Sequence, residues 1–194
     1  MSAPAFYDEL RALRLERLLD ASAAIITEEG WDKLTMTRVA ERSGVPRQSL
    51  YKEVGTKAEL GEAVVRREVD RFLAGVREGI ERHPESVADG LTAAARFALE
   101  YGEANALLKA IVQPAHDSEL LALLTVRPEA VLGQATTVVA STVQAVHGAS
   151  GPKGAERDAL VDSMVRLTLS HLLQSTTSTD VAVERIGGVI SALA

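Results

Sequence analysis

Apolar positions recur along most of the chain at helical spacing, and signals for strands are almost absent. Leu15, Leu18, Ser22, Ile25 and Ile26 fall at i, i+3, i+7, i+10 and i+11, one face of a helix ending at Gly30. Thr35 is a fitting N-cap for a short second helix. This helix runs through Val39 and Ala40 to Ser43, where Gly44 can take the left-handed conformation that ends it. Pro46 starts a third helix in which Leu50 and Val54 lie one turn apart and face inward, and Gly55 stops it. Thr56-Lys57-Ala58-Glu59 reads as a capping box. The helix it opens carries Leu60, Val64, Val65, Phe72, Val76 and Ile80 before Pro84.

Beyond Pro84 the punctuation divides a further run of helices. Ser86 caps a segment with Leu91, Ala95, Ala98 and Leu99 that ends near Gly102. A short helix through Leu107, Leu108, Ile111 and Val112 stops before Pro114. The stretches Asp117 to Val126 and Pro128 to His147 are two helices or one bent at Arg127-Pro128, since proline disfavours a helical residue before it. Gly148 to Gly154 is a loop. The last two helices run from about Ala155 to Ser175, with Leu160, Met164, Leu167 and Leu172, and from Asp180 onward, with Val183, Ile186, Val189, Ile190 and Leu193. The pattern therefore predicts an all-α protein of about nine helices. An N-terminal three-helix domain with a helix-turn-helix spans 1–56, a fourth helix from 57 links, and a helical domain spans 57–194.

Composition narrows the class. With 194 residues, a quarter of them charged and just under half apolar, the chain reads as folded. No leader follows Met1, and the longest apolar stretch, Val131 to Val146, is broken by Gly, Gln, Thr and Ser. It does not reach the roughly 18 apolar residues of a membrane span, so a cytoplasmic protein with no membrane partner is expected. Cysteine is absent, which removes disulfides and thiol chemistry. His83, His116, His147 and His171 share no i, i+3 or i, i+4 spacing, so no metal site and no cofactor are expected, and His83 and His147 read as surface helix ends. No acid pair, nucleophile with base, or glycine-rich phosphate loop suggests an enzyme. The net charge of −6 argues against nucleic acid until it is resolved along the chain. Between Trp31 and Lys57, Lys33, Arg38, Arg42, Arg47, Lys52 and Lys57 outnumber Asp32, Glu41 and Glu53, a local basic island.

That island coincides with two short helices joined by Ser43-Gly44-Val45, a spacing that fits a helix-turn-helix whose second helix can enter a major groove about 12 Å wide. With Leu50 and Val54 inward, Arg47, Gln48, Tyr51 and Lys52 face outward and Ser49 lies at the margin. Arg47 suits guanine O6/N7 and Gln48 adenine N6/N7, while Tyr51 and Lys52 suit phosphates. Thr37 and Lys57 sit near helix N-termini that already favour phosphate, and Arg38 joins them as a DNA-binding candidate. Glu53 is awkward on this surface: either it turns sideways into an ion pair or it accepts from a cytosine amino group. Trp31, the single tryptophan, reads as a core anchor.

Residues 18 to 65 carry a family resemblance: Leu-Leu-Asp-Ala-Ser-Ala-Ala-Ile-Ile through Glu-Glu-Gly-Trp, then Leu-Thr-Met-Thr-Arg-Val-Ala-Glu-Arg-Ser-Gly-Val-Pro-Arg-Gln-Ser-Leu-Tyr, then Gly-Thr-Lys-Ala-Glu-Leu. In order and spacing they resemble the DNA-binding domain of the tetracycline-repressor (TetR) family. Val54 stands where an aromatic is common and Pro46 where a capping Ser is common, departures that bear on the angle of the reading helix. The resemblance implies a homodimer through the last two helices, a palindromic double-stranded DNA operator, and an effector pocket among the middle helices. The chain is also similar to an actinobacterial branch of repressors that respond to apolar acyl compounds such as fatty acids or lactones. Pocket candidates on the middle helices are the apolar Phe97, Tyr101, Leu108, Ile111, Leu120 and Met164 and the polar Asn105, Gln113, His116 and His171. The expected function is that of a repressor released by a small apolar effector. The alternatives are a helical partner-binding protein or a DNA-binding regulator without an effector.

Overall fold

The computed structural model describes residues 3–107 and 128–194. Among them every regular element is helical: α1 (Ala3–Glu29), a 3-10 turn (Trp31–Lys33), α2 (Met36–Ser43), α3 (Arg47–Val54), α4 (Lys57–Glu81), α5 (Val87–Ala104), α6 (Pro128–His147), α7 (Ala155–Leu173) and α8 (Thr179–Leu193). The all-α expectation holds. The segments expected over 107–112 and 117–126 lie, Leu107 apart, outside the described residues. The chain forms two compact units that divide within α4, between Glu68 and Val69, whereas the sequence places the domain boundary at 56/57 with α4 as the link.

The first unit is built on α1. Leu18, Ser22, Ile25 and Ile26 are buried along one stripe, and the polar member is tolerated because the Ser22 hydroxyl donates to the Leu18 carbonyl at 2.7 Å. α2 and α3 pack against that stripe and against each other. Trp31, only 3 % exposed, anchors the unit as its size suggests. Its ring lies against Gly61 of α4 so closely that a Cβ there would stand 2.3 Å from a ring carbon. Glycine at 61 is therefore a packing requirement, and its lower helix propensity is the cost.

The second unit surrounds a core of Val76 and Ile80 from α4, Leu91, Ala94, Ala95, Ala98 and Leu99 from α5, Val139 and Val143 from α6, Leu160, Val161, Met164 and Val165 from α7, and Val183, Ile186 and Ile190 from α8. α8 runs antiparallel along α5. Its start is tied by Asp180 to Arg96 at 2.7 Å and by Thr179 to Glu103, and further along Gly187 lies beside Thr92. Hydrogen bonds to Asp180 and then Glu100 raise the Arg96 guanidinium above its ordinary pKa. Ser86 caps α5 as expected, its hydroxyl accepting from the Asp89 amide at 3.2 Å.

Two local expectations need correction. α5 continues to Ala104, past Gly102, since a helical glycine costs only about 1 kcal/mol and does not by itself end a packed helix. His147, expected at a surface helix end, is 4 % exposed. The chain folds back beyond α6 and donates the Ser150 and Gly151 amides to the His147 carbonyl at 3.1 and 2.6 Å.

Replacing Gly61 by Ala forces the Trp31 ring to move inside a packed interior. Overpacking of this kind costs about 1–3 kcal/mol, against a gain of up to about 1 kcal/mol in helix propensity. The urea midpoint followed by the fluorescence of the single tryptophan is expected to fall in Gly61→Ala, and an unchanged midpoint would show that the ring moves freely.

Candidate functional site

The helix-turn-helix is assembled by local signals. Thr35, in extended conformation, accepts from the Arg38 amide at 3.3 Å and so caps α2, and Gly44 ends that helix at φ 68°. In the turn, Val45 is buried and its amide donates to Ser43 Oγ at 3.2 Å. Pro46 does not begin α3 but occupies the flanking position before it, with φ −54° and ψ 136°. There its missing N–H costs nothing and its fixed φ sets the entry of the chain. Gly55 closes α3, its amide donating to the Tyr51 carbonyl at 3.0 Å.

Burial then sets the phase of α3. Leu50 is fully buried, Val54 and Ser49 are half-buried, and Arg47, Gln48, Tyr51 and Lys52 are exposed; Gln48 and Lys52 lie opposite Leu50, while Arg47, in the first turn, and Tyr51 flank it. Arg47 lies over Tyr51, its guanidinium carbon 5.6 Å from the ring centroid and an Nη donating to the phenol oxygen at 3.3 Å. The pair is thus partly ordered along the helix surface before any ligand arrives.

The other cations of the basic island are held inside the unit. Arg38, half-buried, donates to the Lys33 carbonyl at 3.2 Å and pairs with Glu29. Arg42 makes a bidentate pair with Glu28, both bonds 2.6 Å. This lowers the Glu28 pKa through the hydrogen bond and raises that of Arg42. Lys57 donates to the Trp31 carbonyl at 3.0 Å with its ammonium 4.6 Å from the Trp31 ring centroid, so its charge is directed into the fold rather than outward. Thr37 is exposed in the first turn of α2. The capping box at the start of α4 forms as read: Glu59 accepts from the Thr56 amide at 2.7 Å and Thr56 Oγ1 accepts from the Glu59 amide at 3.2 Å. The bonds from Thr56 hold the Glu59 carboxyl below its ordinary pKa.

Of the alternatives open for Glu53, the side chain takes the ion pair. It turns off the exposed face and accepts from Arg11 Nε of α1 at 2.7 Å.

In the second unit, Phe97 and Tyr101 join Phe72 in a cluster of three rings with centroids 5.4 to 6.3 Å apart. Phe72 and Phe97 pack against the core, while Met164, 2 % exposed, belongs to the core itself. Asn105 is the C-cap of α5 and, like His171 on α7, is half-buried. Leu108, Ile111, Gln113, His116 and Leu120 lie outside the described residues. Thr168, 6 % exposed, has a hydroxyl without a hydrogen-bond partner among the described residues, and no pattern in the sequence singles it out.

Two families match this chain: "Bacterial regulatory proteins, tetR family" over residues 18–64 and "Bacterial Tetracyclin repressor, C-terminal domain" over residues 87–192. The chain belongs to the TetR family. It is a DNA-binding transcriptional regulator and not an enzyme. Among its relatives is the HTH-type transcriptional regulator AlkX of Mycobacterium tuberculosis, 24 % identical over 162 residues that cover 84 % of this chain and 76 % of that protein. The HTH-type transcriptional activator FasR of Mycolicibacterium smegmatis is 34 % identical over 67 residues, 34 % of this chain and 31 % of FasR. Among solved structures, the TetR-family repressor AlkX from Dietzia sp. strain DQ12-45-1b, implicated in biodegradation of n-alkanes, superposes with a TM-score of 0.70 at 22 % identity, covering 91 % of this chain and 94 % of that one.

In this TetR-family regulator the sequence overlooked the carboxylates of α1. Glu28 and Glu29 precede the basic island, and only the folding of α1 against α2 brings them to Arg42 and Arg38. Arg11 lies 42 residues from Glu53, where no local pattern could join them. Among the described residues no helix is long and apolar enough to cross a membrane.

Proposed function

We propose that this TetR-family regulator is a repressor that binds a palindromic operator as a homodimer and is released by a small apolar effector of fatty acyl or lactone-like character. The observation that carries the DNA half is the burial pattern of α3: one fully buried leucine, with Arg47, Gln48, Tyr51 and Lys52 all exposed. Arg47 and Gln48 are the base-reading candidates, and Tyr51, Lys52, Ser49 and Thr37 the phosphate candidates. Arg38 joins them only by exchanging Glu29 for a phosphate. Lys57 keeps its ammonium on Trp31 and contributes the N-terminus of α4.

Dimerisation through the last two helices is supported by Val181, Val189 and Leu193, all exposed on one stripe of α8, and by exposed Leu173 at the end of α7. A two-fold dimer then holds its α3 helices roughly 34–36 Å apart, one turn of DNA. For the effector, the support is the apolar interior of the second unit with its half-buried rings, together with the n-alkane biodegradation in which the Dietzia AlkX repressor is implicated. To weaken operator binding about a hundredfold, an effector must prefer the non-binding state by roughly 2.7 kcal/mol, which burial of a few methylenes at about 0.8 kcal/mol each supplies.

Two measurements test the two halves. On a duplex selected from random-sequence DNA by the wild-type protein, Arg47→Ala with Lys52→Ala is expected to lower affinity about tenfold to a few hundredfold, given about 1–3 kcal/mol for a bidentate base contact and a lost phosphate contact besides. Unchanged affinity would remove α3 as the reader. In native mass spectrometry a dimer is expected to carry an apolar molecule that leaves as the selected duplex binds. A dimer that binds the duplex but neither carries nor responds to such a molecule would keep the repressor and remove the effector.

A further inference from the structure

Glu53 presents a problem that the reading face alone does not solve. It sits in the last turn of α3, next to Lys52, and a carboxylate there stands among the phosphates of any duplex α3 enters. At about 0.1 M salt the screening length is roughly 10 Å, so such a charge is felt across the interface. Its side chain is 11 % exposed and turned toward α1, where Arg11 Nε donates to Oε2 at 2.7 Å. Arg11 itself is 67 % exposed. A guanidinium offers five N–H donors in a rigid fork. The bond to Glu53 uses Nε, and among the described residues the two terminal nitrogens have no acceptor.

We propose that Arg11 is a positioning residue of the DNA interface: it cancels the Glu53 carboxylate and presents its remaining donors to a backbone phosphate alongside α3. On this view the N-terminal part of α1 belongs to the DNA-binding surface, and the basic island extends to a residue outside it in sequence. The inference rests on α3 being the reading helix.

The test is a double-mutant cycle on the duplex selected by the wild-type protein, with affinities measured at two salt concentrations. Arg11→Ala is expected to weaken binding about tenfold at low salt and to reduce the slope of log affinity against log salt by about one per phosphate no longer neutralised. Arg11→Lys keeps the charge and is expected to retain most of the affinity. Glu53→Gln alone is expected to bind as tightly as the wild type or more tightly, and in the Arg11→Ala background to recover the part of the affinity lost to the uncompensated carboxylate while the salt slope stays reduced by the missing phosphate contact. A purely structural role for the pair would recover affinity and salt slope together, and the folding of each variant is checked by the tryptophan midpoint. Weaker binding by Glu53→Gln alone would overturn the proposal, because the carboxylate would then be accepting from the DNA. Indifference to Arg11→Ala would overturn it too. If Arg47→Ala with Lys52→Ala abolishes binding while Arg11→Ala leaves it intact, the bridge alone fails; if neither change matters, α3 fails as the reader as well.

Discussion

Burial of Leu50 fixes the rotation of α3 about its axis, and the chemistry of the exposed face follows from that phase. A helix rotates about 100° per residue, so a shift of one position would put Tyr51 or Ser49 inward in place of Leu50 and change which side chains meet solvent. Two groups hold the phase besides Leu50. Val54 packs one turn later, and Val45 is buried in the turn that delivers the chain to Pro46. The proline adds a fixed φ at the entry without any demand for a donor. Valine in place of the aromatic common at position 54 leaves the inward side of α3 intact, because half-burial of a smaller side chain suffices beside a fully buried leucine.

Electrostatics in the first unit act by pairing rather than by net charge. The chain carries −6 overall, yet acidic groups of α1 lie against the basic island at Glu28 with Arg42 and Glu29 with Arg38, while Arg11 of α1 answers Glu53 of α3. Exposed pairs of this kind add little to stability. Their larger effect is to decide which cations remain outward: Arg47 and Lys52 on α3 keep their charge at the exposed face, whereas Lys57 is committed to Trp31. The unit thereby offers a narrow positive strip on an otherwise acidic protein, which favours contact with a polyanion at one face only.

Features fixed by neighbours in sequence were legible in advance. The Thr35 cap, the Gly44 stop, the Thr56-Glu59 box and the Ser86 cap each depend on a side chain within three or four residues of its target. The outward row of α3 was legible too, because helical phase follows from two apolar positions. What depends on the fold of distant segments was not. The ion pair of Arg11 with Glu53 and the capture of Lys57 by Trp31 both arise from tertiary approach. Lys57 and Arg38 were grouped with the DNA-facing residues near helix N-termini, and their partners Trp31 and Glu29 come from segments that no local pattern joins to them. For the sensor, the sequence named apolar side chains that serve core and pocket equally well, and Met164 lies in the core.

Entry of α3 into the major groove, in two copies related by a dyad, is what the proposed repressor depends on. Methylation interference on the selected duplex reads this directly, because a methyl at guanine N7 occupies the major-groove position that an arginine such as Arg47 would approach. Two clusters of interfering guanines, symmetric and centred about one turn of DNA apart, are the expected result. Interference confined to the minor groove, or no interference on a duplex that the protein binds tightly, would contradict it.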